Sequence, residues 1–358
     1  MGRKIDLFRF WLEIVGASEA GIEMKILLTA DPEVPVPPIL YGGIERVINQ
    51  LGQGYQALGH ETILLANPQS ESPHFNSKYA WTGMSSVSRL DSLRNALKLR
   101  EVIRKEKPDL IHSFSRIAYL TGALGNHIPI IQTYQREISN TTTTWAKRIF
   151  GSRMHLSACG AHMTKNLSTR EAWTTVPNCC NTDELTPLSN LERTHLVFLG
   201  RIEPIKGILE AIEFAQKTKK PLIIAGNIEP EWQAFFNTEV KPLIDGEHIA
   251  YIGPVNDQQK QELLSKAIAF LMLIKWEEPF GIVMAEALSC GVPVVALDRG
   301  SVPEVVMHGQ NGIRGRTLPD LIHNFSLIET IASADCRKDA IQRFSIEAVS
   351  RAYLDIIV

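Results

Sequence analysis

The sequence predicts an α/β protein made of two doubly wound parallel domains in succession, and three observations predict it. Its 358 residues suit two domains, each large enough to bury its own core. Apolar runs of strand length alternate with stretches at helical spacing, and this alternation occurs twice. The second series restarts at His195-Leu196-Val197-Phe198-Leu199, after the polar, proline-bearing stretch from Glu184 to Arg193, which reads as a linker.

Composition removes several function classes. Lys and Arg number 37 against 39 Asp and Glu, so the net charge of −2 offers no basic footprint for nucleic acid. A hydrophobic content of 44% is that of an ordinary globular chain. The five cysteines form no Cys-x-x-Cys, and Cys179 and Cys180 are adjacent. That suggests neither a zinc site nor a disulfide framework, and a reducing cytoplasm is the simple expectation. No apolar run reaches the about 18 residues of a spanning helix.

Residues 1–23 stand apart as an N-terminal extension. Leu7, Phe8, Phe10, Trp11, Leu12, Ile14 and Val15 cluster there, but Arg9 and Glu13 interrupt a signal-peptide core. Two readings stay open. One is a long or misassigned start, because Met24 directly precedes the first good strand. The other is an amphipathic segment touching a partner or the inner face of a membrane.

Residues 24–183 read as the first domain. Met24 to Ala30 is an unbroken apolar run, as a parallel strand covered on both faces requires. The loop from Asp31 to Pro38 is too proline-rich for helix or central strand. Tyr41-Gly42-Gly43 then opens a helix whose apolar face is Ile44, Val47, Ile48, Leu51, Tyr55 and Leu58, ended by Gly59. Two glycines between a first strand and its helix let backbone approach a phosphate closely, although Gly-Gly is also ordinary loop punctuation. Glu61 to Ala66 is the second strand. Helices follow over Leu90–Lys105, with Leu93, Leu97, Val102 and Ile103 apolar, over Ile117–Leu124, and over Gly160–Leu167. Strands are expected at 108–114, 129–132, 154–158 and 174–177. A parallel sheet of this kind carries its site at the C-terminal ends of its strands.

Residues 195–343 read as the second domain, and 344–358 as a terminal amphipathic helix. After the strand at 195–199 comes Gly200-Arg201-Ile202-Glu203-Pro204-Ile205-Lys206-Gly207. Arg201 at a strand end and Lys206 at the next helix start can converge on one point, where two fixed cations suit a phosphate. Strands follow at 221–226, 248–253 and 268–273, with helices at 232–243 and 257–267. Trp276 to Ala296 is the stretch on which the rest is organised. It reads as a strand end, a turn at Glu278-Pro279, a helix opening at Phe280-Gly281 and stopping at Gly291, and another buried strand from Pro293. The helix N-terminus, with free amides at Gly281 and Ile282, suits a phosphate. Carboxylates are acceptors only, so Glu278 and Glu286 suit the hydroxyls of a sugar and a ribose. A buried helix with one capping and one satisfied Glu would read the same at either residue alone, so the whole string carries the inference.

Glu278-Pro279-Phe280-Gly281, Glu286 and Ala287-Leu288-Ser289-Cys290-Gly291-Val292-Pro293-Val294-Val295-Ala296 resemble the donor-site signature of retaining glycosyltransferases of family 4, group 1, with the GT-B fold. Gly-Arg-x₄-Lys-Gly resembles that family's phosphate-binding pair, and Gly300-Ser301-Val302-Pro303-Glu304 also fits. The resemblance covers nearly all of 24–358. It implies two domains facing across a cleft, with the last helix crossing back to the first. It implies transfer of a sugar from a nucleotide-diphosphate donor to an acceptor hydroxyl, with retention, no cofactor and no metal. Arg201, Lys206 and Glu278 would be catalytic. Gly42, Gly43, Phe280, Gly281, Ile282 and Glu286 would hold the donor, and Val255 would lie at the base. The acceptor, whether sugar, lipid-linked or small molecule, would belong to the first domain. One position departs from the pattern. Relatives often carry His-x-His where this chain has His112-Ser113-Phe114, so the sugar contact from that strand is lost or passes to Arg116 or backbone. A nucleotide-sugar isomerase or hydrolase, and a non-catalytic binding protein, are the alternatives.

Overall fold

The computed structural model describes residues 23–39, 42–189 and 191–357. The amphipathic reading of the N-terminal segment thus lies outside the described residues, as do Leu40 and Tyr41.

The first unit contains β1 (Lys25–Thr29), α1 (Gly43–Ala57), β2 (Glu61–Ala66), β3 (Ser77–Ala80), α2 (Arg89–Glu106), β4 (Leu110–Ser113), β5 (Ile130–Tyr134), α3 (Asn140–Phe150), β6 (Met154–Ala158) and β7 (Trp173–Thr175). Its seven strands are all parallel, in the order β3-β2-β1-β4-β5-β6-β7. The second unit contains β8 (His195–Leu199), α4 (Ile208–Thr218), β9 (Leu222–Ala225), β10 (Ile249–Tyr251), α5 (Asp257–Ser265), β11 (Ala267–Met272), α6 (Ile282–Ser289), β12 (Val294–Leu297) and β13 (Gly312–Gly315), followed by α7 (Ser333–Phe344) and α8 (Ile346–Leu354). Its parallel order is β10-β9-β8-β11-β12-β13.

In each sheet the chain runs outward one way from the first strand and then returns to build the other way. The reversal lies between β1 and β4 in one sheet and between β8 and β11 in the other. Loops leaving such neighbours diverge, and a crevice opens at their C-terminal ends. The apolar runs follow from burial on both faces. In β1, Ile26 and Leu28 pack with Val47, Leu51 and Tyr55 of α1, whereas Leu27 packs on the opposite face with Leu99 and Val102 of α2 and Phe150 of α3.

The terminal helix α8 returns to the first unit, where Val349 and Tyr353 join the α1 core. A Cβ at Gly54 would lie 2.0 Å from Ser350 Oγ, so only glycine allows α8 this close to α1.

Several local expectations change. Ile117–Ala123 and Ala161–Thr164 are 3₁₀ turns, and the 232–243 stretch is a patchwork of short 3₁₀, α and π segments rather than one helix. The latter contains Pro242, whose missing N–H interrupts the ladder. The edge strand β3 lies in a stretch that carried no strand pattern, because its residues alternate between partly and fully exposed. On α2, Val102 and Ile103 are in the core but Leu93 and Leu97 face outward; Ala96 and Leu99 take the inward positions.

Candidate functional site

The loops after β8 and β11, the start of α6 and the start of α1 surround a cavity of about 490 Å³. Its lining includes Gly42, Gly43, Arg201, Lys206, Glu278, Phe280, Gly281, Ile282 and Glu286. Val255 is the one expected site residue outside this lining; it packs partly buried against the second unit's core. Its expected neighbourhood with a base rested on backbone contacts, which leave no side-chain signature.

Lys206 is held by its local geometry. It ends the 3₁₀ turn Pro204–Lys206, and Gly207 follows at φ 76°. A Cβ on Gly207 would stand 1.8 Å from Leu273 O, so the turn lies directly on the end of β11. Lys275 N donates to Ile205 O at 2.8 Å and fastens the two loops together. The Lys206 ammonium then reaches Glu278 Oε2 at 2.7 Å and lies 4.7 Å from the centre of the Trp276 ring. Trp276 Nε1 donates to the same Glu278 oxygen at 3.0 Å.

Glu278 owes its position to the next loop. Ser301 N donates to Glu278 O at 3.0 Å, and Gly300 N donates to Glu277 Oε2 at 2.6 Å. A Cβ at Gly300, where φ is 54°, would meet Glu278 N at 2.4 Å. Phe280 is buried, stacks edge-on against Phe344 and gives its carbonyl to Ser301 Oγ, so it shapes the wall more than it offers a polar contact. The helix α6 begins at Ile282, one residue later than Gly281, which caps it at φ 73°.

Arg201 and Glu286 also have carboxylate or ammonium partners the sequence did not announce. Arg201 Nη2 lies 2.8 Å from Glu203 Oε1, and Glu203 is buried. Glu286, 5% exposed, accepts from Lys260 Nζ at 2.7 Å. Lys260 also meets Asp257 at 2.9 Å, and Asp257 meets Arg46 of α1 at 2.8 Å. This chain of charges crosses from one unit to the other. Burial disfavours the Lys260 ammonium, but Glu286 and Asp257 outweigh it and the pKa is raised. Lys260 is thus a site residue that sequence reasoning missed; within Asp-Gln-Gln-Lys-Gln-Glu it looks like any exposed helical lysine.

On the facing wall, the N-terminal end of α1 points into the cavity. A Cβ at Gly43 would come within 3.7 Å of Ile282 Cδ1, which measures how near the two walls are. Glu45 is buried in this wall, and burial raises its carboxyl pKa. Every cation in the cavity is therefore matched by a carboxylate, and two helix N-termini add the remaining positive potential. Among the described residues, no three metal-ligating side chains come together.

Residues 41–184 match the Glycosyltransferase Family 4 profile, and residues 186–315 match Glycosyl transferases group 1. The chain belongs to the group 1, family 4 glycosyltransferases. Its fold is GT-B. A glycosyltransferase from Rickettsia africae superposes with a TM-score of 0.75 at 17% identity, covering 93% of this chain and 97% of that one. Anabaena HepE, solved with UDP and glucose, gives 0.70 at 17% identity over 94% and 99%. The glycogen synthase of Mycobacterium tuberculosis is 22% identical over 335 residues, which is 77% of this chain and 79% of that protein.

The glycosyltransferase has a second cavity of about 320 Å³ in the first unit, beside the first and sharing Ile44 and Gln135 with it. Phe114, Arg116, Gln132 and Arg136 line it. Arg136 pairs with Asp31, and Arg116 N donates to Asp31 at 2.9 Å. His112 does not reach this space. It is fully buried, with Nδ1 2.9 Å from the Tyr55 hydroxyl and Nε2 2.9 Å from Thr133 Oγ1. Burial pushes its pKa down to about 3. The folded protein thus keeps His112 neutral where the unfolded chain protonates it, near pH 6.5. Stability from this group is complete above about pH 6.5 and is lost as pH falls toward 3, at about 1.4 kcal/mol per pH unit. Urea titrations of wild type and His112→Asn between pH 7 and pH 4 check this: the difference in unfolding free energy should move in the variant's favour as pH falls. A constant difference would show that His112 is not buried neutral.

Proposed function

We propose that this glycosyltransferase moves a sugar from a nucleoside-diphosphate sugar to an acceptor hydroxyl, with retention of configuration and without a metal ion. The observation that carries the reading is the convergence of Arg201, Lys206, Glu278, Glu286 and the first amides of α6 on one cavity opposite Gly42-Gly43. In this reading residues 195–343 bind the donor and residues 24–183 bind the acceptor in the second cavity. Lys206 and Arg201 meet the diphosphate, whose charge grows as the bond from C1 to phosphate oxygen breaks. Glu278, already accepting from Lys206, orients the sugar hydroxyls, and Glu286 takes the ribose. The acceptor oxygen bonds to C1 on the leaving-group face, and its proton passes to the departing diphosphate. No protein nucleophile is required.

A thermal-shift screen of UDP-, GDP-, ADP- and TDP-sugars tests the donor reading; the UDP-bound HepE makes UDP-sugars the first to try. A donor at a hundred times its Kd adds about 2.7 kcal/mol of stability. That shift should shrink in Lys206→Ala and Glu278→Ala. No shift from folded protein with any donor would reject the proposal. Phe114 in the acceptor cavity favours one second reading, a protein that binds the donor without turning it over. Donor stabilisation with no nucleoside diphosphate released in the presence of any acceptor would select it.

A further inference from the structure

Glu304 reaches across from the second unit to the first. It lies in the helical turn Val302–Val305, directly after the loop whose Gly300 and Ser301 hold Glu277 and Glu278. Its own backbone is fixed to the second unit, because Arg343 of α7 donates to Glu304 O, and to Val305 O at 3.3 Å. Its carboxylate accepts from two amides of the first unit, Ala161 N to Oε2 at 2.7 Å and His162 N to Oε1 at 2.9 Å. His162 Nδ1 lies 3.3 Å from the same Oε1. Backbone N–H groups bonded to a carboxylate make charge-assisted hydrogen bonds, about twice as strong as neutral ones. Burial disfavours the Glu304 carboxylate, but the His162 ring and the amides of Ala161 and His162 outweigh it, and the pKa is lowered.

The residues held in this way also touch the Glu278 loop. A Cβ at Gly160 would stand 2.6 Å from Pro279 O, so only glycine lets the stretch 160–162 lie against the turn at Glu278-Pro279. The second unit thus grips this stretch at two points, Pro279 and Glu304. The Arg46–Asp257 pair also joins the units, but its side chains are 37% and 49% exposed, where an ion pair contributes little. The contact between His162 and Glu304 is better shielded, with side chains 11% and 32% exposed.

We propose that Glu304 is a positioning residue, which clamps the 160–162 stretch of the first unit onto the loop carrying Glu278 and so sets that carboxylate relative to both units. The clamp follows from these contacts alone. Its effect on turnover rests on the reading of Glu278 as the group that orients the sugar.

Hydrogen–deuterium exchange of the intact protein, read by mass spectrometry on peptides covering 159–165 and 276–282, tests the clamp without any donor. Glu304→Gln offers one acceptor oxygen where the carboxylate has two, so exchange at Ala161 and His162 should rise at least about tenfold. The 276–282 amides should speed up with them. Ala161→Pro breaks the same contact from the first unit and leaves the 300–304 loop untouched. Gly160 is extended at φ −146° and ψ 137°, a conformation that accepts a following proline, and proline fits the first position of the turn Ala161–Thr164. This variant should accelerate 276–282 as well. Faster exchange confined to 159–165 in both variants would make Glu304 a local cap and overturn the proposal. Acceleration of 276–282 in Glu304→Gln but not in Ala161→Pro would also overturn it, because Glu304 would then steady only its own loop. With a donor that stabilises the wild type, kcat of both variants should fall about 10²-fold, the cost of a small misplacement relayed to a reacting group, with KM changed far less. An unchanged kcat would remove the positioning role. A wild type that no donor stabilises would reject the donor reading instead, and the exchange results would still decide the clamp.

Discussion

Lys206→Ala is expected to lower kcat about 10²–10³-fold, the cost of removing one preorganised group that stabilises transition-state charge. The ammonium is held within 2.7 Å of Glu278 and against the Trp276 ring, on a turn that Gly207 ties to β11. In the proposed reaction it is therefore in place before charge develops on the leaving diphosphate, and no reorganisation is needed at the moment of bond cleavage. Kinetics of the variant separate two roles. Equal losses in kcat and kcat/KM would mark an interaction made in the transition state, as proposed. A raised KM with kcat intact would mean that Lys206 only binds the donor, and the catalytic role would be withdrawn. Glu278→Gln is the companion variant. It keeps a hydrogen-bonding shape beside Trp276 while removing the charge opposite Lys206, so it reports on sugar orientation with the cation still present.

Lys260→Ala should destabilise the protein by about 3–5 kcal/mol, the range for removing one partner of a buried ion pair. Lys260 and Glu286 have side chains only 9% and 6% exposed, and the substitution leaves the Glu286 carboxylate without its cation. The double variant Lys260→Met/Glu286→Leu should recover most of that loss, because neither charge is then left uncompensated. It should still fail to bind donor if Glu286 takes the ribose. Chemical denaturation of the three proteins decides the point. A single variant as stable as wild type would mean that Glu286 is solvated and that the Lys260 contact contributes nothing. Because Asp257 links Lys260 to Arg46, the loss of Lys260 should also loosen the contact between the two units.

Much of this architecture was legible in the residues themselves. Strands buried on both faces show as unbroken apolar runs, and the run from Met24 became β1 and the run from His195 became β8. Short-range site geometry was legible too, because it depends on backbone that only certain residues permit. Gly207, Gly281 and Gly300 all have positive φ, and each sits beside a residue expected to carry chemistry. Sequence reading did less well where burial is partial. Leu93 and Leu97 looked like core positions because apolar periodicity does not say which of two apolar stripes faces inward. The edge strand β3 and the irregular 232–243 segment had no clean period to read.

The sequence by itself determined the fold class and, β3 and β13 apart, the order of the strands along the chain, and it singled out Arg201, Lys206, Glu278 and Glu286, which line one cavity. Each of those rests on local spacing, on burial on both faces of a strand, or on a turn that demands glycine. Only the tertiary structure decided what those groups touch. Lys206 was paired with Glu278, Arg201 with Glu203 and Glu286 with Lys260, and Val255 was left outside the cavity. His112 was buried between Tyr55 and Thr133, and Phe114 was turned into the second cavity. The reason is distance along the chain. Lys206 and Glu278 are brought together by the neighbouring ends of β8 and β11, and Arg46 meets Asp257 only because two separate sheets close on one another. Charge pairing acts through space over a few ångströms, and a periodic pattern in sequence records only the local conformation that precedes it.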